Sequence, residues 1–91
     1  MPRTFNVSIP DANVAVEAPL KRSTHKFEVK CRTAVELQLG FTDVEAMVSF
    51  FTIPSGMAYY EQGIQLRDPI SVWLVSQTPG VVAEFLVWEE M

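Results

Sequence analysis

Cysteine and histidine are almost missing from this sequence: Cys31 and His25 each stand alone among 91 residues. A lone cysteine excludes a disulfide within the chain. One cysteine and one histidine also leave a tetrahedral zinc site short of ligands. Glycine is scarce, at four residues, and none falls in the pattern of a phosphate-cradling loop. No stretch approaches the roughly 20 apolar residues that a membrane-spanning helix needs. Met1-Pro2-Arg3-Thr4 lacks the apolar run of a secretory signal. These absences predict a soluble chain made in a reducing cytoplasm, with no cofactor and no membrane contact. A single domain of this size draws a thin margin from its own core, and disulfides, metals or neighbouring subunits usually supplement it. With the first two struck out, docking onto another chain remains.

Net charge is −4, and its distribution is uneven. Residues 1–32 hold six of the seven basic side chains against Asp11, Glu17 and Glu28, for a balance of +3. Residues 33–91 hold only Arg67 against eight acids, for a balance of −7. Segregated charge suits a positive face meeting a negative face on another copy or a scaffold. Nucleic acid is a poor partner for a net-acidic domain.

The dominant period is two. In Lys26-Phe27-Glu28-Val29-Lys30-Cys31-Arg32 apolar and charged residues alternate, the mark of a strand with one dry and one wet face. Residues 35–41 repeat the pattern and predict Val35, Leu37, Leu39 and Phe41 inward. Shorter alternations run through Phe5, Val7 and Ile9, and through Val14 and Val16. Residues 48–53, 70–75 and 81–88 are apolar on both faces, which calls for cover on both. In so small a domain that cover is expected from another chain. Pro54-Ser55-Gly56 and Thr78-Pro79-Gly80 mark tight turns, and Arg67-Asp68-Pro69 breaks the chain before the next strand. Residues 42–47 suit either one helical turn capped by Thr42 or Asp43, or a loop. The pattern predicts an all-β fold: one small antiparallel β-sandwich over 1–91, jelly-roll-like, with about seven or eight short strands. Residues 1–24 are expected to be its least regular part, with residues 1–4 and 21–24 the most mobile stretches.

Catalysis needs a nucleophile, a base and a group to orient the base. His25 sits in the basic stretch Lys21-Arg22-Ser23-Thr24-His25-Lys26 and reads as a solvent-facing residue. Cys31 falls on the apolar side of its strand, as a small hydrophobe does. Glu61, Asp68 and Glu84 have no spacing that fixes a carboxylate pair, and Glu89-Glu90 reads as a solvated end. The chain is expected not to be an enzyme, with a small hydrolase the weakest alternative. Aromatic residues are the remaining candidates. Tyr59 and Tyr60 are consecutive, so one must face outward in a strand, while Trp73 and Trp88 lie on two-sided strands. Exposed rings anchor protein interfaces or stack on sugars. The predicted interface set is Arg3, Lys21, Arg22, Lys26, Lys30, Arg32, Phe51, Tyr59, Tyr60, Trp73 and Trp88.

Residues 51–60, Phe51-Thr52-Ile53-Pro54-Ser55-Gly56-Met57-Ala58-Tyr59-Tyr60, resemble the strand, Pro-x-Gly turn, strand unit of small tailed-phage virion proteins. Residues 70–85, Ile70-Ser71-Val72-Trp73-Leu74-Val75-Ser76-Gln77-Thr78-Pro79-Gly80-Val81-Val82-Ala83-Glu84-Phe85, are similar to their terminal hairpin. The likeness covers residues 48–88 and rests on hairpin style, not on an invariant motif. It implies a virion structural protein, a capsid decoration or cement protein, without cofactor and commonly a homotrimer. Such a protein would sit on the outer capsid surface, against the major capsid protein, after assembly in the host cytoplasm. The basic N-terminal side chains would face that acidic surface. The same resemblance admits a glycan- or receptor-binding module of a fibre or spike.

Overall fold

The computed structural model describes residues 2–64 and 69–89. Eight strands and one short helix follow in the order β1 (Pro2–Ile9), β2 (Val16–Leu20), β3 (Thr24–Cys31), β4 (Leu37–Gly40), α1 (Asp43–Val48), β5 (Phe51–Ile53), β6 (Ala58–Gln62), β7 (Ile70–Ser76) and β8 (Val81–Glu89). They form two four-stranded antiparallel sheets, ordered β1-β8-β3-β6 and β2-β7-β4-β5. The pairs β1/β8, β2/β7, β3/β6 and β4/β5 are nested like one long hairpin with α1 at its tip. Rolling that hairpin joins β8 to β3 and β7 to β4. This is a jelly roll, the form of sandwich expected.

Alternation fills the interior. Val81, Ala83, Phe85 and Val87 of β8 point between the sheets, where Phe27, Val29, Leu37, Leu39, Val72 and Leu74 meet them, all buried. Each large side chain so removed from water stabilises the fold by about 1.5–3 kcal/mol. Phe5 stacks on Phe85 with ring centroids 4.7 Å apart, adding a specific contact across β1 and β8. The turns are built as their residues suggest. Gly56 takes φ of 78°, which a side chain would resist, and the Met57 N–H closes the turn onto the Pro54 carbonyl. The buried Ser76 hydroxyl donates to the Thr78 carbonyl and accepts from the Thr78 N–H, ending β7.

Four expectations are corrected. Residues 1–24 are not the least regular part: Pro2–Ile9 pair residue for residue with Val81–Trp88, and the turn after β2 is tied by Thr24 N–H to Lys21 C=O. The ladder to β8 supplies order that the weak local alternation does not reveal. Strand β5 spans only Phe51–Ile53, because α1 takes the preceding residues. There the Thr42 hydroxyl accepts from the Glu45 N–H while the Glu45 carboxylate accepts from the Phe41 N–H, a near-capping box that outweighs the two β-branched residues. Phe41 lies past the end of β4, where alternation no longer applies, and is exposed.

The fourth correction concerns cover. The outward side chains of β7 include Val75, which is 1% exposed although it lies outside the central core cluster. Its lid belongs to the same chain. Helix α1 lies on the outer side of β4 and β7 and seats Ala46 there, fully buried. Gly40 makes the approach possible, since a Cβ at that position would run into the Ala46 backbone nitrogen and come within 2.7 Å of the Glu45 carbonyl carbon. Gly40→Ala is therefore expected to cost about 1–3 kcal/mol in urea unfolding, the usual range for overpacking. An unchanged midpoint would mean that α1 is not seated on β4.

Candidate functional site

Two sides of the jelly roll remain open, one between the edge strands β1 and β2 and the other between β5 and β6. Among the described residues the largest run of exposed apolar side chains falls on α1, β5 and the turn after β5. Because α1 buries only Ala46, its other apolar residues face water: Val44 is 64% exposed and Val48 76%. Met47, Phe50, Phe51 and Met57 are exposed as well, Phe51 from the inner side of the β5 edge. Single exposed apolar residues are ordinary, but so many within residues 41–57 make this segment a candidate interaction patch. Asp43 and Glu45 place acidic charge within the same segment.

Phe51 is thus the predicted interface residue that lies in the patch, and its ring meets Tyr59 edge-on at 5.3 Å. Tyr59 faces inward, where Phe27 also touches it, while Tyr60 faces outward at 53% exposure. The consecutive tyrosines divide as an extended strand requires. Burial pushes the Tyr59 hydroxyl up to about 12, helped by the hydrogen bond it donates to Glu61. It stays protonated at any physiological pH and acts as a fixed donor.

The outer face of the β1-β8-β3-β6 sheet gathers five more of the predicted residues. Lys26 lies level with Trp88 in the ladder, and its ammonium sits 4.2 Å from the Trp88 ring centroid and 5.3 Å from that of Tyr60. One cation therefore occupies both aromatic faces, which removes them as a bare stacking platform. Further along, Glu84 receives Arg32 at 3.0 Å and Lys30 at 3.8 Å. These exposed pairs are worth little in stability, yet they neutralise charge that an acidic partner would need. Trp73 stands apart on the other sheet, half-buried between Glu17 and Gly40 in register.

Arg3, Lys21 and Arg22 come together at the β1/β2 side. They ring a cleft of about 780 Å³ whose walls include Phe5, Val7 and Leu20. Arg3 forks onto Glu89 with hydrogen bonds of 2.9 and 3.1 Å, and its guanidinium lies 5.0 Å from the Phe5 ring centroid. Glu89 is thus no solvated end. It has the inward parity of Val81, Ala83, Phe85 and Val87, a signal that was present in the sequence but needs the β1/β8 register to gain meaning. Its Arg3 hydrogen bonds hold the carboxyl below its ordinary value, with the positive charges of Arg3 and Lys21 adding to them and partial burial opposing. Nearby in the ladder, Thr24 lies opposite Glu89, its buried hydroxyl without a hydrogen-bond partner among the described residues.

The remaining candidates are dispersed. His25 sits half-buried at an irregularity of β3 and offers its backbone carbonyl to Ile64. Cys31 is a free thiol packed against the core. Asp68 lies outside the described residues. Among the described residues no group of three or more His, Cys, Asp or Glu side chains could hold a metal ion.

With this geometry in view, the chain can be placed among known proteins by fold. No protein-family model matches it, and no characterised relative does. It is similar to a de novo designed double-stranded β-helix solved by solution NMR, with a TM-score of 0.55 and 13% identity over 99% of both chains. The likeness is one of architecture: a double-stranded β-helix is the jelly roll described above.

The Arg3–Glu89 pair carries a pH dependence of defined sign. Glu89 titrates lower in the folded chain than in the unfolded chain. Its contribution is therefore present above the ordinary carboxylate value and is lost as pH falls through the lower folded value. Because Arg3 is 42% exposed, the contribution is about 0.5–1 kcal/mol at neutral pH. Glu89→Gln should lower stability by that amount at pH 7 and match the parent in strong acid. An equal loss at both pH values, measured by chemical unfolding, would deny the pair its electrostatic role.

Proposed function

We propose that this chain works by binding, as an assembly module whose copies meet through the apolar segment formed by α1 and β5. The observation that carries the reading is the exposure of Val44, Val48, Phe51 and Met57 within one stretch of the chain. In a sandwich with a filled interior, such a surface is the natural place to recover burial that a small domain lacks. The contact differs from the one expected on sequence grounds. It uses the helix and the β5 edge, because α1 already covers β7 and the lysine stems of β3 lie beside the outer side chains of β8.

The setting we propose is a virion, with the chain as a capsid decoration or cement protein on the outer head surface and a homotrimer as its working unit. Support for the setting is the hairpin resemblance of residues 48–88, and the jelly roll is an architecture that viral capsid and lectin domains share. A glycan-binding fibre module is the weaker reading, because Lys26 already lies over Trp88 and Tyr60.

Light scattering coupled to size exclusion tests the assembly. The parent chain should run as an oligomer and the double variant Val48→Glu, Phe51→Glu as a folded monomer. A parent that stays monomeric at high micromolar concentration would remove the reading. Co-sedimentation with tailed-phage heads stripped of their decoration proteins tests the setting, and a chain that stays in the supernatant would remove the capsid role.

A further inference from the structure

Four strands lie at sheet edges, and they are not equivalent. Strand β5 has three residues, β6 has five, and β2 carries Pro19 as the fourth of its five, which withholds an N–H from any incoming strand. Strand β1 runs for eight residues with no proline after its first. Its hydrogen bonding follows from its neighbour. The Val82 carbonyl accepts from Arg32 on the β3 side, so the backbone of Val82, Glu84 and Leu86 faces β3. Antiparallel alternation then turns Ala83, Phe85 and Val87 toward β1, where they bond Val7, Phe5 and Arg3. The N–H and C=O groups of Thr4, Asn6 and Ser8 are left aimed at the open edge.

That edge borders the cleft. Its walls supply apolar contact from Phe5, Val7 and Leu20, and its rim supplies Lys21 and Arg22 from the β2–β3 turn. Arg22 makes no ion pair among the described residues. A basic rim on a chain of net charge −4 selects for negative charge in whatever enters. Backbone groups in a row, an apolar trough beside them and cations at one end together specify an extended peptide.

We infer that β1 accepts an extended acidic–apolar segment of a partner protein as an added strand, its apolar side chains entering the β1/β2 cleft and its carboxylates meeting Lys21 and Arg22. Main-chain bonds to Thr4, Asn6 and Ser8 supply affinity, and the cleft with its rim supplies selection. The site lies on the β1/β2 side, separate from the α1–β5 patch, so it does not depend on self-association.

The probe is a short fluorescein-labelled peptide of alternating valine and glutamate, followed by fluorescence anisotropy with the full chain. The parent should bind saturably and lose affinity as salt rises, since the rim charges are exposed. Asn6→Pro removes an outward N–H without touching a β8 bond, and should weaken binding about tenfold or more. Arg22→Glu, in an exposed turn, should weaken binding and flatten the salt dependence. If Asn6→Pro proves unstable, the same question is put to the parent chain with a peptide N-methylated at alternate residues along one edge, which should not bind when that edge faces β1. The double variant Val48→Glu, Phe51→Glu should bind as the parent does, which separates this site from the assembly patch. Equal binding of the N-methylated peptide, or no saturable binding by the parent, would overturn the inference. So would dodecanoate binding in the cleft while the peptide does not bind.

Discussion

The fold closes on one strand. Val81–Glu89 is bonded on both edges, to β1 on one side and β3 on the other, and every second side chain enters the core. Remove its register and the rest loses definition: Phe5 has no Phe85 to stack on, Arg3 has no Glu89, and Glu84 no longer collects Lys30 and Arg32. Because the side-chain period is two, a slip of one residue would turn Val81, Ala83, Phe85 and Val87 to water and bring Val82, Glu84, Leu86 and Trp88 inside. Burying Glu84 without a partner would cost several kcal/mol, which pins the register from the polar side as firmly as the apolar side does.

Strand parity was the part of this architecture legible in the sequence. The alternation in residues 26–32 and in Leu37-Gln38-Leu39 states which side chains face inward, and the turns at Pro54-Ser55-Gly56 and Thr78-Pro79-Gly80 state where strands end. Two-sided apolar strands were legible as well, but the identity of their cover was not. That depended on Gly40, whose missing side chain admits α1 onto the sheet, and on Thr42 and Glu45, whose side chains accept from the Glu45 and Phe41 N–H groups and start a six-residue helix. A glycine at the end of a strand reads as punctuation until the tertiary contact shows what it admits.

The candidate sites follow the same logic. Basic residues close in sequence, from Lys21 to Arg32, separate in space because strand parity and the β2–β3 turn send them to different faces. Lys26, Lys30 and Arg32 find aromatic or acidic partners across the ladder, whereas Lys21 and Arg22 remain at the cleft rim. Composition therefore reported an excess of positive charge correctly but could not say which part was already spent inside the molecule. The exposed run from Phe41 to Phe51 was hidden for a related reason: half of it was legible only as strand, and a helix presents a different set of side chains.

Nesting also sets an order in time. The innermost pair, β4 with β5, closes across α1 and its flanking residues, while the outermost joins the second residue to the eighty-eighth. On the ribosome β1 must wait, unpaired, until β8 has emerged. Its apolar side chains Phe5, Val7 and Ile9 are then a liability, and Arg3 pointing in among them is a brake on premature strand-to-strand sticking. The charge that closes one end of the finished molecule thus doubles as a guard while the molecule is being made.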